Sequence, residues 1–220
     1  MARFFRNNGL TIVLLLLFLG SIIGHWLTGW QFKNEELARH GEVILTLGQY
    51  STDPNFLATI FENWESEFLQ MSTYVILTAF LFQKGSAESN DPDEAPRDQN
   101  LDQEAKKRGA STMLRWGRTA RWLYAHSLGI AMLFLFVASF LLHWKFSADE
   151  AAGEAISHGA TPLGMADYLW EPQLWFESFQ NWQSEFLSTA VLVVLTIYLR
   201  QKNSPESKPV AASHDHTGAE

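Results

Sequence analysis

The 220-residue chain contains no cysteine, which excludes disulfides, thiolate metal sites and cysteine nucleophiles together. It also has no Gly-rich phosphate loop, no His-Glu-x-x-His, no Gly-x-Ser-x-Gly and no Cys-x-x-Cys-His haem attachment. Positive charge is scarce. Sixteen Lys and Arg against 24 Asp and Glu leave a net −8, which argues against nucleic acid as a bulk partner. No Ala-x-Ala-like cleavage site follows the basic start Met1-Ala2-Arg3-Phe4-Phe5-Arg6 and its apolar run, so that run is expected to be a retained helix rather than a signal peptide. No cofactor and no enzymatic activity are expected from these absences.

What is present is a duplication. Asn63-Trp64-Glu65-Ser66-Glu67-Phe68-Leu69 returns as Asn181-Trp182-Gln183-Ser184-Glu185-Phe186-Leu187. Residues 9–89 align without a gap on 127–207, with about 30 of 81 positions identical. His25-Trp26 pairs with His143-Trp144, His40-Gly41 with His158-Gly159, Tyr50 with Tyr168 and Pro54 with Pro172. Gln83-Lys84 pairs with Gln201-Lys202, and Glu88-Ser89 with Glu206-Ser207.

The mean hydropathy of −0.08 averages very apolar blocks with very polar ones. Four apolar blocks, at about 10–27, 64–82, 128–144 and 182–199, read as transmembrane helices. The first covers roughly 26 Å at about 1.5 Å per residue, enough for a hydrocarbon core of about 30 Å with interfacial help. Nine Trp and sixteen Phe suit membrane interfaces. Pro54 and Pro172 each open a long helix, with Asp53 available as a cap. The first of these is expected to run unbroken from Pro54 to Phe82.

The expected fold class is therefore an all-α membrane protein of four transmembrane helices. They form two parallel two-helix repeats, related by a pseudo-two-fold along the membrane normal. The second helix of each repeat extends outside the membrane. Repeat 1 covers 1–89, with an outer loop at 28–63, and repeat 2 covers 123–207, with an outer loop at 145–181. Residues 90–122 are expected to be a cytoplasmic linker ending in a basic interfacial segment, and 208–220 a disordered tail. Thirteen of the 16 Lys and Arg lie in the stub, linker and tail, and only Lys33, Arg39 and Lys145 in the two loops. The positive-inside rule then places both termini in the cytoplasm and both acidic loops outside. Arg115, Arg118 and Arg121, at three-residue spacing beside Trp116 and Trp122, read as a helical stripe on anionic lipid heads or as ordinary positive-inside flanking sequence.

The candidate site is a polar cluster near the outer boundary. Asn63, Ser66 and Glu67 are spaced i, i+3, i+4 on one helix face, as are Asn181, Ser184 and Glu185. Glu67 and Glu185 lie about 22 Å of helix from the inner ends of their spans, inside the hydrocarbon, where a charge is costly. With His25, His143, His40 and His158 these two carboxylates form a weak candidate metal set, or a proton or cation site with coupled titrations. The plainer reading is that Asn, Ser and Glu hydrogen-bond across helices and that His25 and His143 belong to the interface belt.

The Asn-Trp-x-Ser-Glu-Phe-Leu pair, the His-Gly pair and the closing Gln-Lys-x-Ser-x-Glu-Ser together resemble a family of bacterial integral membrane proteins described only as a domain of unknown function. The resemblance implies a bacterial inner-membrane protein and carries over no activity, ligand or catalytic residue. The expected function is a non-enzymatic scaffold, assembly factor or accessory subunit that uses the outer helices and acidic loops. The alternative is a small dimeric transporter or ion- and proton-handling protein with Glu67 and Glu185 in an outer-facing cavity. The expected partners are the lipid bilayer and a homodimer mate or larger membrane complex, with no nucleic acid.

Overall fold

The computed structural model describes residues 2–95, 98 and 100–218. Met1 of the basic stub, linker positions 96, 97 and 99 and tail positions 219 and 220 lie outside them. The secondary structure of the described residues is helical, with no strand among them. The order is α1 (Ala2–His40), α2 (Leu47–Tyr50), α3 (Pro54–Leu77), α4 (Leu101–Glu104), a 3-10 turn (Thr112–Arg115), α5 (Arg118–Ala125), α6 (Ser127–Ser157), α7 (Met165–Tyr168) and α8 (Pro172–Tyr198). Two helices, α1 and α6, are long and apolar enough to cross a membrane.

Both first helices run further than their apolar blocks. α1 continues through residues 28–40, where the sequence suggests a mixed polar loop. That stretch is rich in helix formers and carries the pairs Lys33–Glu36 at 3.4 Å and Arg39–Glu35 at 3.7 Å, both at helical spacing. α6 likewise passes its apolar block, with Lys145 paired to Asp149 at 2.6 Å. Each helix is stopped by its His-Gly pair. Gly41 and Gly159 adopt left-handed φ values of 72° and 71°. Glu42 N–H then donates to Leu37 O at 2.9 Å, and Ala160 N–H to Ala155 O at 2.8 Å. This is the Schellman geometry that satisfies terminal carbonyls, made at equivalent positions of both copies.

The chain divides into two compact units. The first comprises Met1–Ile60 and His143–Met165. In it the segment after Gly41 folds back on α1: Trp30 Nε1 donates to Leu45 O at 2.7 Å, and the Asn34 amide both donates to and accepts from the Leu45 backbone. Thr46 and Gln49 cap α2 reciprocally. Tyr50 is buried, its ring 4.9 Å from Phe56, and Phe56 packs on His25 at 5.3 Å. Gly29 makes room for this cluster, because a Cβ there would fall on the Tyr50 hydroxyl. Asp53 accepts from Asn55 N–H at 3.1 Å, so it caps the helix that Pro54 opens.

The second unit comprises Phe61–Leu142 and Ala166–Glu220. Here α3 meets α8 through polar side chains. α8 also meets α6 through an aromatic row, with Phe136–Trp182 at 6.4 Å and Phe140–Trp175 at 6.0 Å. α3 ends at Leu77 rather than at Phe82. Thr78 Oγ1 bonds back to Tyr74 O at 2.8 Å while Asn90 reaches the Thr78 carbonyl. The next amides, of Ala79 and Phe80, then turn to carbonyls three residues back. Side-chain competition for backbone groups thus ends the helix where no Gly or Pro does.

Residues 83–90 and 199–218 are also folded, although the tail from residue 208 is expected to be disordered. Two equivalent turns form: Gln83 N–H donates to Ser89 Oγ at 2.8 Å, and Gln201 N–H to Ser207 Oγ at 2.9 Å. Gly85 and Asn203 hold the matching left-handed position. The fully buried Lys208 ammonium donates to the carbonyls of Gly85, Ser213, His214 and His216.

Candidate functional site

The acidic loop residues gather in the first unit around a cleft of about 240 Å³. Its walls are the end of α1 (Lys33, Glu36, Leu37, His40), the start of α3 (Asp53, Pro54, Asn55) and the end of α6 (Asp149, Glu150, Glu154, Ser157, His158). Glu36 aligns with Glu154 and His40 with His158 in the gapless sequence match, and all four line the one cleft. Six carboxylates line it, counting Glu42, against the single ammonium of Lys33.

Glu150 is the most constrained of these. The Asn55 amide donates to its Oε1 at 2.6 Å. Burial pushes Glu150 above the usual carboxylate range, opposed by the Asn55 hydrogen bond and Lys33 and reinforced by Glu154 and Asp53. A cleft with this surplus of negative charge attracts cations and basic segments.

The Asn-Ser-Glu cluster lies in the second unit and is arranged differently from its helical-wheel reading. Ser66 Oγ and Ser184 Oγ donate to the carbonyls of Asn63 and Asn181, at 2.9 and 2.8 Å, so both hydroxyls bond within their own helices. Asn63 and Glu67 are exposed, while Glu65 and Ser66 are buried. Trp182 Nε1 donates to Glu65 Oε1 at 2.9 Å, and the Asn181 amide donates to Glu62. Lower down, Gln70 donates to Glu185 O at 3.2 Å and to Thr189 Oγ1. Glu67 and Glu185 are electrostatic neighbours.

Face periodicity misses Glu62, Glu65 and Gln70. The signal that marks them is divergence between the copies: Glu62, Glu65 and Gln70 stand where the second copy has Gln180, Gln183 and Ser188. At Glu62 and Glu65 the first copy supplies carboxylate acceptors to the amide and indole donors of the second, whereas at Gln70 the first copy is the donor.

The histidines do not assemble a metal centre. Among the described residues no three His, Asp or Glu side chains come together as metal ligands. His25 lies against Phe56, with Thr59 Oγ1 3.3 Å from its Nε2. His143 is completely buried, unlike a belt residue with a wet polar end. His40 and His158 are exposed on the acidic cleft. The arginines do not form one stripe either. Gly117, at φ 100°, separates Arg115, which ends the 3-10 turn, from Arg118, which opens α5. Arg115 donates to Ala105 O at 2.9 Å, and Arg121 donates to Leu114 O and pairs with Asp102.

These features define an all-helical protein with two helices capable of crossing a membrane, an acidic cleft and a polar seam between α3 and α8. The chain belongs to the family described as a domain of unknown function, DUF6766, whose model matches residues 1–219. No curated protein and no solved structure matches it.

Proposed function

We propose that the chain is a multi-pass protein of a bacterial inner membrane. It has four spans in two parallel repeats, both termini in the cytoplasm and the acidic cleft outside. It acts as a non-enzymatic scaffold, assembly factor or accessory subunit that engages a basic segment of a partner protein in that cleft. Uncovered apolar side chains support the spans: Leu10 and Leu16 on α1, Met71 on α3, Phe134 on α6 and Leu187 on α8 are exposed, the first at 75 %. Water does not favour such surfaces and lipid does.

The observation that carries the scaffold reading is the cleft. Its volume of about 240 Å³ falls below the roughly 300–1,000 Å³ of small-molecule sites. Its charge is almost all of one sign, which suits electrostatic docking.

The Glu67–Glu185 neighbourhood favours a second reading, ion or proton handling. One pair of variants separates the two. In the scaffold account, Glu36→Gln/Glu150→Gln/Glu154→Gln releases partner proteins that co-purify in mild detergent, and Glu67→Gln/Glu185→Gln leaves them bound. A proton or cation flux in proteoliposomes that Glu67→Gln/Glu185→Gln abolishes would favour the second reading and remove the first.

A further inference from the structure

From Ala105 to Ala148 the chain holds no Asp or Glu, while Lys106, Lys107, Arg108, Arg115, Arg118 and Arg121 fall within the first part of that stretch. In a chain of net charge −8 this is a local reversal of sign. Within the second unit the fold makes a hook of it. The 3-10 turn packs on α5, and only His126 separates α5 from α6, a helix long and apolar enough to cross a membrane.

Part of this charge is used inside the hook. Arg115 Nε donates to Ala105 O at 2.9 Å, and Arg121 donates to Leu114 O and pairs with Asp102. Lys107 pairs with Glu104 at 2.6 Å. These bonds tie residues 102–107 to the turn and to α5, and they leave a different set outside. Lys106, Arg108 and Arg118 are exposed and have no carboxylate partner among the described residues. Trp116, Trp122 and Leu123 are exposed too, at 69, 56 and 49 %. Arg118 and Trp122, four residues apart on α5, share one helix face.

We propose that this hook lies on the anionic headgroups of the leaflet that α6 enters. Trp116, Trp122 and Leu123 sink beneath the phosphates, and Lys106, Arg108 and Arg118 are held against them. The lipid-facing set thus differs from the Arg115, Arg118 and Arg121 stripe that the spacing suggests, because two of those arginines bond inward.

Reach and chemistry both favour a lipid surface. Trp122 stands five residues before Ser127, the first residue of α6. That is about 8 Å along a helix, and the headgroup layer is itself about 5–8 Å deep on each side of the hydrocarbon. The outward face therefore cannot travel far from that layer. Unpaired cations interleaved with tryptophan match a surface that is anionic at its rim and apolar beneath. The hook depends on α6 being a span, as proposed above, and not on the acidic cleft or its partner.

The full chain in nanodiscs tests this, in phosphatidylcholine alone or in equal parts phosphatidylcholine and phosphatidylglycerol. A spin label is attached through Thr119→Cys on the hook or, in a separate protein, through Phe134→Cys on α6; both positions are exposed. Collisions with oxygen report lipid, and collisions with a nickel chelate report water. The Phe134→Cys label should favour oxygen in both discs. The Thr119→Cys label should shift toward oxygen only with phosphatidylglycerol. Each of Lys106→Gln, Arg108→Gln and Arg118→Gln should lower its docked-to-undocked ratio about fivefold. Trp116→Ala, which leaves the charge unchanged, should lower that ratio as well, unlike a flank that acts by charge alone. A Thr119→Cys label equally wet in both discs, or a shift indifferent to the three charges, would overturn the proposal. So would protection of that label by added RNA and not by phosphatidylglycerol, which would make the hook a nucleic-acid surface. A Phe134→Cys label in water would overturn the span reading itself, and the hook with it.

Discussion

Glu150 shows how one side chain can oppose the fold around it. Its folded value lies above the ordinary glutamate value, so between the two the native state binds more protons than the unfolded chain. Stability therefore falls as pH rises through that window, and the penalty is fully present above it. Glu150→Gln removes the charge but keeps an oxygen for the Asn55 amide. The variant is expected to unfold at a higher temperature than the parent at pH 8 and at the same temperature below about pH 4, where both side chains are neutral. Thermal unfolding in mild detergent across that range measures it, and a less stable variant at pH 8 would contradict it. Trp182 makes the opposite case, because Trp182→Phe deletes a donor to buried Glu65. Its expected cost is about 1–3 kcal/mol. Trp116→Phe, at a ring 69 % exposed, should change stability by less than about 0.5 kcal/mol. Equal effects from the two would deny the seam its role.

At the scale of elements, proline told more than glycine. Pro54 and Pro172 mark helix starts because a first-turn proline loses no bond, and the structure begins α3 and α8 at those residues. The ends were harder to read. His40-Gly41 and His158-Gly159 look like loop residues in the sequence, yet each glycine is the left-handed stop of a helix that outruns its apolar block. Apolar pattern locates a lipid-facing or core-facing stretch, whereas the helix continues for as long as its backbone groups find partners. The same distinction explains the early end of α3, which depends on Thr78 and Asn90, twelve residues apart and without a local signature. Gly41→Ala and Gly159→Ala should each cost about 1–2 kcal/mol, because a Cβ disfavours the left-handed conformation. Comparable losses at both positions, read from thermal unfolding, would show that the two copies end their first helices alike. A neutral substitution at either would contradict the Schellman stop.

For the whole molecule, the helical class was legible in the long apolar blocks and in the helix starts at Pro54 and Pro172. Which side chains meet was not legible. Glu62 and Glu65 are acceptors on one copy for Asn181 and Trp182 of the other, and a wheel drawn on one helix cannot reveal a partner 117 or 119 residues away. Nor could composition show that Lys208 anchors the tail, since its partners are backbone carbonyls. The central claim is that two parallel repeats cross the membrane twice each, with the acidic cleft on one side and the repeated turns on the other. The absence of native cysteine makes the direct test clean, because each introduced thiol is the only one in the chain. Single cysteines at Val43, Thr161, Asp93 and Lys202, all exposed, would be labelled with a membrane-impermeant maleimide on spheroplasts and again after permeabilisation. The account predicts labelling of Val43→Cys and Thr161→Cys in intact spheroplasts, and of Asp93→Cys and Lys202→Cys only after permeabilisation. Labelling of Thr161→Cys and Asp93→Cys from the same side would contradict it, because the chain between them would then not cross the membrane an odd number of times.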